Sequence, residues 1–394
     1  MRRVELMRQT TIDKFQRRRF MRAAASAATM TCLAPKLWPG AQAELNSAAA
    51  TNIDAMEQAL ELFAGLAPLT NHGPMAAEAL VALGRAESVV AFAESYKKRF
   101  SASSPATREA VTRANWRAAL GDGQRVADWV NFFQRELKES PWSQVLARWV
   151  DALAPGLAAA AAHGLIRTAH AVRSLAVKET ELRRRELAEG LGYWAAYYQP
   201  LPEALPEGSK AQTAKLKPAQ AIRQVPLLPV EKRARGGSIM VGLRSLHDFP
   251  AFVATADLVE AKGEAEKVLS EVTETFATVY LQQVTPRNFI TLIHAVTGPT
   301  ALRSLLPYLS PSTTQKVLRY GWQAAAGLYS ISGSGSPNAL PVATEIKRDE
   351  LIERAVAAQE EHAIKFTEAC LREYALNPKP IYWQAAQDAL GRLS

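Results

Sequence analysis

The sequence predicts an all-α protein, a multi-helix globular domain interrupted by one long proline-rich crossing loop. Three observations point there. Apolar residues after residue 50 recur with the period of a helix, and runs that alternate in the manner of strands are scarce. Alanine, leucine, glutamate and arginine dominate the periodic segments, and these side chains lose little on entering a helix. Segment starts carry Ser, Thr or Asp, or a proline in the first turn, where its missing N–H leaves no bond unmade.

In chain order the spacing predicts helices over 51–65, 74–84, 86–98, 122–138, 141–153, 156–173 and 176–196. It then predicts 261–283, 286–295, 311–329, 348–376 and 379–392. Pro74, Pro286 and Pro311 mark three of these starts. Residues 200–240 break the rhythm with Pro200, Pro202, Pro206, Pro218, Pro226 and Pro229, the basic run Lys232, Arg233, Arg235, and Gly236-Gly237. So long an irregular stretch is a functional loop or a linker. Candidate ligands lie on both sides of it, so it reads as a loop inside one unit spanning 44–394. The run Ser332-Gly333-Ser334-Gly335-Ser336-Pro337 predicts a second loop before the last long helix, and no repeat of fixed period is visible.

The formal charge of +9 is concentrated in residues 1–43, which carry +7 of it and leave +2 for the remainder. The basic excess therefore belongs to a leader, and no nucleic-acid partner is expected. Arg17-Arg18-Arg19-Phe20-Met21 precedes the small apolar stretch 23–33, and Ala41-Gln42-Ala43 offers a cleavage site. This pattern is a secretory signal, too short for a span, and its paired arginines resemble the twin-arginine type. Export of folded protein to the periplasm by the twin-arginine machinery follows as an expectation. Cys32 goes with the leader and Cys370 stands alone, so no disulfide forms within the mature chain. No other stretch is apolar and long enough to cross a bilayer, and stable membrane insertion is not expected.

Several familiar sites are missing from the sequence. There is no Gly-x-Gly-x-x-Gly after a strand, no phosphate loop, no His-Glu-x-x-His and no Gly-x-Ser-x-Gly. None of the residues three before a histidine is a carboxylate, which excludes a di-iron bundle built on Glu-x-x-His. The histidines are six: His72, His163, His170, His247, His294 and His362. His72 stands where a helix begins, His163 and His170 are seven apart and share a face, and His294 ends the apolar run 289–293. Each, alone, reads as a packed core residue or as a metal ligand. Lys365 lies three after His362 on the same face, and by itself it reads as a surface lysine. His247 sits in a loop without an assigned role, and Trp194 and Trp322 read as core or as the wall of an aromatic pocket.

Four segments in order, Asn71-His72 with the following helix, Ala162 to Arg173, Leu292 to Leu309 and Glu361-His362-Ala363-Ile364-Lys365, resemble the questin oxidase-like family over about residues 55–390. Fungal members open anthraquinone rings. The resemblance implies a helical, metal-dependent oxidoreductase: a non-haem iron oxygenase acting with O2 on a polycyclic phenolic or quinone ring. It implies Fe(II) held by His72, His163, His294 and His362, with Lys365 as a carboxylated lysine. A lysine ammonium has no lone pair, but a neutral amine can take up carbon dioxide and become an anionic oxygen ligand. His170 and Arg167, which share the His163 face, are candidates for supporting the ligands or contacting a phenolate. Two other readings stay open: an NADPH-dependent Baeyer–Villiger-type oxidase without flavin, and a non-catalytic periplasmic binding protein. Zinc is served by imidazoles as readily as iron.

Overall fold

The structure, a computed structural model, describes residues 55–64, 72–100, 106–203, 215–233, 238–261, 263–335, 337–341 and 346–393. All of them belong to one compact unit, Ala43–Ser394. The leader and cleavage site read in residues 1–43 lie outside the described residues. No strand occurs among the described residues; the only ladder contacts are isolated bridges, Leu157 to Gln199 and Leu216 to Val259.

Helix α1 covers 55–63. Helix α2 (Gly73–Ala82) starts on a first-turn proline, and α3 (Val89–Lys97) follows a single 3₁₀ turn at Ala86–Ser88. Helices α4 (Val126–Glu139) and α5 (Trp142–Leu153) have strongly one-sided apolar faces. They share a cluster of Trp129, Phe132, Phe133 and Trp149 with ring centroids 5.1–6.1 Å apart.

The next element departs from expectation. The pattern predicts a helix from 156, yet α6 is His163–Val177. The alanine run before it does not continue a helix: Ala160, Ala161 and Ala162 have φ of 48°, 59° and 66°. Alanine is the best helix former, so tertiary contacts override propensity here. Leu157 is anchored to Gln199 by a backbone bridge, and Trp194 donates its indole N–H to the Gly156 carbonyl at 3.1 Å. These contacts hold the segment against the next helix, α7 (Glu181–Ala196), whose N-cap Thr180 accepts from the Arg183 N–H.

The proline-rich stretch is described over 200–203, 215–233 and 238–240. It forms only short turns, including Pro218–Ala221 and Val230–Lys232, and lies along a later helix. Ser330 donates its hydroxyl to the Pro226 carbonyl, the Leu228 N–H donates to Ser330 O, and Gln323 donates to Pro202 O.

Helix α8 (Ala265–Gln283) precedes α9 (Phe289–Leu302), which outruns its predicted end at 295 and passes through Pro299. Proline breaks an isolated helix by removing one backbone bond. Here neighbours enclose the element, and Leu292 to Leu302 are all buried. By length and mean hydropathy (1.2) the stretch Phe289–Tyr308 would also pass for a membrane span, which corrects the expectation that none exists; 72% of its apolar window is buried inside the protein, as in a core helix. Helix α10 (Pro311–Ser332) is capped by Ser310. The predicted 348–376 helix is two: α11 (Arg348–Ala358) and α12 (Glu361–Leu376), separated at Gln359, φ 51°. Glu360 closes the break by accepting the Ala363 N–H at 2.7 Å. Helix α13 (Pro380–Leu393) is the last element.

Four helices make the centre. Helix α2 packs against α6 and α12, and α9 packs against the same two, so they close a ring. Helix α7 flanks α6, α8 and α10 flank α9, and α13 flanks α12.

Candidate metal centre

Each helix of the ring brings one histidine to its axis. His72 stands just before α2, His163 opens α6, His294 lies within α9, and His362 is in the first turn of α12. Their imidazoles follow the order of the helices: ring centroids are 4.6 Å apart for His72–His163, 4.4 Å for His163–His294, 5.4 Å for His294–His362 and 4.7 Å for His362–His72. Lys365, one turn on from His362, points its Nζ at His72 Nδ1, 3.0 Å away. Four distant segments therefore converge: ligand atoms of His72, His163 and His362 all lie within 4.8 Å of one another, His294 joins the cluster through His163, and Lys365 joins it through His72. His72, His163, His294 and Lys365 are buried, and His362 is nearly so.

The hydrogen bonds fix the tautomers. His163 donates from Nδ1 to the Ala160 carbonyl, His294 from Nδ1 to Ile290 O at 2.6 Å, and His362 from Nδ1 to Glu360 Oε1 at 2.7 Å. A carbonyl can only accept, so both His163 and His294 carry their proton on Nδ1. Burial, followed by the nearby Lys365 charge, pushes the His163 pKa down to about 3. Burial, then the neighbouring imidazoles, holds His294 well below its ordinary value. Both rings are thus neutral at pH 7, and each presents a bare lone pair at Nε2.

Those two Nε2 atoms face each other at 3.0 Å. Lone pair against lone pair is repulsive, and a shared proton is opposed by the same burial that keeps the rings neutral. A cation resolves the conflict. Two nitrogens about 2.1 Å from one ion and at a right angle to each other stand about 3 Å apart. Donation of Nδ1–H to a carbonyl or carboxylate is also the support that metal-bound histidines receive. The donor set fits a divalent transition metal: four imidazoles with one further group, Lys365. Burial lowers the Lys365 pKa to about 8, so roughly a tenth of the amine is neutral at pH 7, far more than for an ordinary lysine.

The backbone around the centre is strained where it helps most. Three successive alanines in the left-handed region cost on the order of 1–2 kcal/mol each. That turn aims Ala160 O at His163 Nδ1 and leaves His163 at the first position of α6. The next residue, Gly164, allows α6 to touch α7: a Cβ there would fall 2.6 Å from Trp194 Cα. The chain at His72 is held by Tyr96, whose hydroxyl accepts the backbone N–H of His72 at 2.9 Å.

A narrow cavity opens beside the histidines, lined by His294, His362 and Lys365 at one end and by His170, Arg173 and Arg372 at the other. Its volume of about 20 Å³ is room for one water-sized molecule. Arg173 and Arg372, with side chains 18% and 24% exposed, mark the mouth. The two supporting candidates on α6 part company. His170 lines the cavity; Arg167 faces α7, where it donates to Glu186 at 2.6 and 2.8 Å and to Glu189 at 2.5 Å. Trp194 and Trp322 are core, each donating to a backbone carbonyl, and exposed His247 meets Pro200 O.

Sequence reasoning missed Glu360, Tyr96 and a buried charge chain. In that chain Glu78 on α2 accepts from His170 and Arg173, and Glu368 on α12 accepts from Arg173 and Arg372. Glu360 was findable from its place two residues before His362, because carboxylate partners commonly orient ligating histidines. Glu78 is 92 positions from His170, and no local spacing joins them.

Against known proteins, the family model described as Questin oxidase-like matches residues 69–370. No curated protein and no solved structure matches the chain.

Proposed function

The chain belongs to the questin oxidase-like family, and from that premise we propose that it is an oxidase of the non-haem iron type, oxygenating or cleaving a polycyclic phenolic or quinone ring with O2. His72, His163, His294 and His362 would hold Fe(II), with Lys365 as its carboxylated form the anionic partner. The observation that carries the metal is the pair of unprotonated Nε2 atoms facing each other at 3.0 Å in a buried site. The family description supports the substrate class.

Bound iron would supply the one-electron chemistry needed between dioxygen and a ring that has no unpaired electrons. The chain's own residues do the rest. Ala160 O, Ile290 O and Glu360 orient three imidazoles by their Nδ1 protons. The four packed helices leave room for about one water-sized molecule beside the imidazoles, which keeps bulk water from them. Lys365 lines that cavity, which gives carbon dioxide a way toward its amine. The leader read in the sequence adds export of the folded, loaded protein to the periplasm as part of the proposal.

The test is oxygen consumption by the iron-reconstituted full chain with hydroxyanthraquinones, with and without NADPH. Uptake that needs the quinone and iron but no NADPH is expected. Uptake that requires NADPH would move the assignment to the Baeyer–Villiger type, and no uptake with any hydroxyquinone would contradict an oxidase.

A further inference from the structure

The cavity beside the histidines is built to a regular plan. Counted from His163 on α6, His294 on α9 and His362 on α12, its lining recurs three, six or seven, and ten positions further along each chain segment. The level of three carries Lys365. At six or seven stand three alanines, one from each helix: Ala169, Ala301 and Ala369. At ten stand Arg173, Ser304 and Arg372, at the mouth. The three segments thus carry the same stripe away from their histidines, and ten residues of helix span about 15 Å.

The alanine level is the place where width is set. All three alanines are buried, and the cavity they share has a volume of only about 20 Å³. The polar side chains at that level are engaged elsewhere: His170 with Glu78, and Glu368 with Arg173 and Arg372. The same bonds to Glu368 fix both guanidinium groups at the rim. An aromatic ring is too large for such a passage. An ion is small enough, but it must shed its water with no free partner waiting at the alanines. A neutral diatomic molecule meets neither obstacle.

Resting on the oxidase reading above, we propose that this passage is the route by which dioxygen reaches the metal centre, and that Ala169, Ala301 and Ala369 determine what it admits. It takes a neutral diatomic and refuses hydrated ions and aromatic rings. Dioxygen therefore does not compete with the ring substrate for this space. The passage makes and breaks no covalent bond; its role is access.

The test uses nitric oxide on the full chain, reconstituted with Fe(II) and kept anaerobic. Nitric oxide is a neutral diatomic close to dioxygen in size, and its binding to Fe(II) is followed by absorbance without any turnover. The wild type is expected to bind it. Ala301→Leu should slow association about 10-fold or more and slow dissociation by the same factor, leaving Kd unchanged, because a barrier on a route acts equally in both directions. Damage to the ligands would change Kd instead. Ser304→Phe narrows the half-buried mouth and should act in the same sense by a smaller factor; it decides the question should Ala301→Leu fail to fold. Iron content and circular dichroism are the controls. Wild-type association rates in the variants that fold and hold iron, or an iron-loaded wild type that binds no nitric oxide, overturn the proposal. Slowed binding in a protein that consumes no oxygen with any quinone would end the oxidase reading and leave the passage standing, whereas oxygen consumption with unslowed binding would do the reverse.

Discussion

Tyr96 shows how much of the centre depends on residues that touch no ligand atom directly. Its hydroxyl accepts the His72 N–H, and its ring sits among Phe63, Phe92 and Phe100. Tyr96→Phe keeps the packing and removes the acceptor of the His72 backbone N–H, so metal affinity should fall by about 10-fold or less while the fold is retained; competition against a chelator reads it. An unchanged affinity would mean His72 is held by α2 alone. At this scale the sequence is half legible. The three-residue step from His362 to Lys365 shows on inspection, because a helix places such a pair on one face. That Lys365 meets His72, 293 positions away, does not. Nor does the tautomer of His163, which depends on a carbonyl from a left-handed turn that the unbroken alanine run 158–162 gives no reason to expect.

At the scale of elements, that turn makes a specific claim about stability. Ala161 sits at φ 59°, where glycine has no steric penalty. Ala161→Gly should stabilise the protein by roughly 0.5–1 kcal/mol after the entropy of the freer unfolded chain is set against the relief. Chemical denaturation measures it; a loss of about 1 kcal/mol, as for glycine within a helix, would contradict the strain. Local signals of this kind also decide which elements could be read in advance. Periodicity and composition located α2 through α5, α7, α8, α10 and α13 within a few residues. They misplaced the start of α6 and missed the break at Gln359, because neither site carries a glycine or a proline at the turn. They stopped α9 short because Gly298-Pro299 reads as an ending, whereas the surrounding helices hold the element straight through it.

For the whole molecule, the buried charges set both the acid limit of stability and the cohesion of the ring. Burial works to raise the Glu368 pKa, but Arg173 and Arg372 overcome it and hold the carboxyl at about 2. A depressed carboxylate stabilises the fold above its unfolded pKa, near 4.5, and that contribution is lost as pH falls toward 2. The size is on the order of 3 kcal/mol. Glu368→Gln should therefore lower stability at pH 7 by about 3 kcal/mol, since it takes the carboxylate from two partly buried guanidinium groups, of which Arg173 keeps Glu78, and flatten the decline between pH 4.5 and 2. Urea midpoints across that range check it. The helix ring matters because it turns four separate segments into one centre, and the chemistry of the protein depends on what that centre holds. The most direct measurement is the metal content of the full chain, purified without a tag or chelator and reconstituted anaerobically with Fe(II), beside His294→Ala. About one iron per wild-type chain, lost in the variant, is the predicted result; a wild type that binds no iron, or a variant that keeps it, would contradict an iron centre at these histidines.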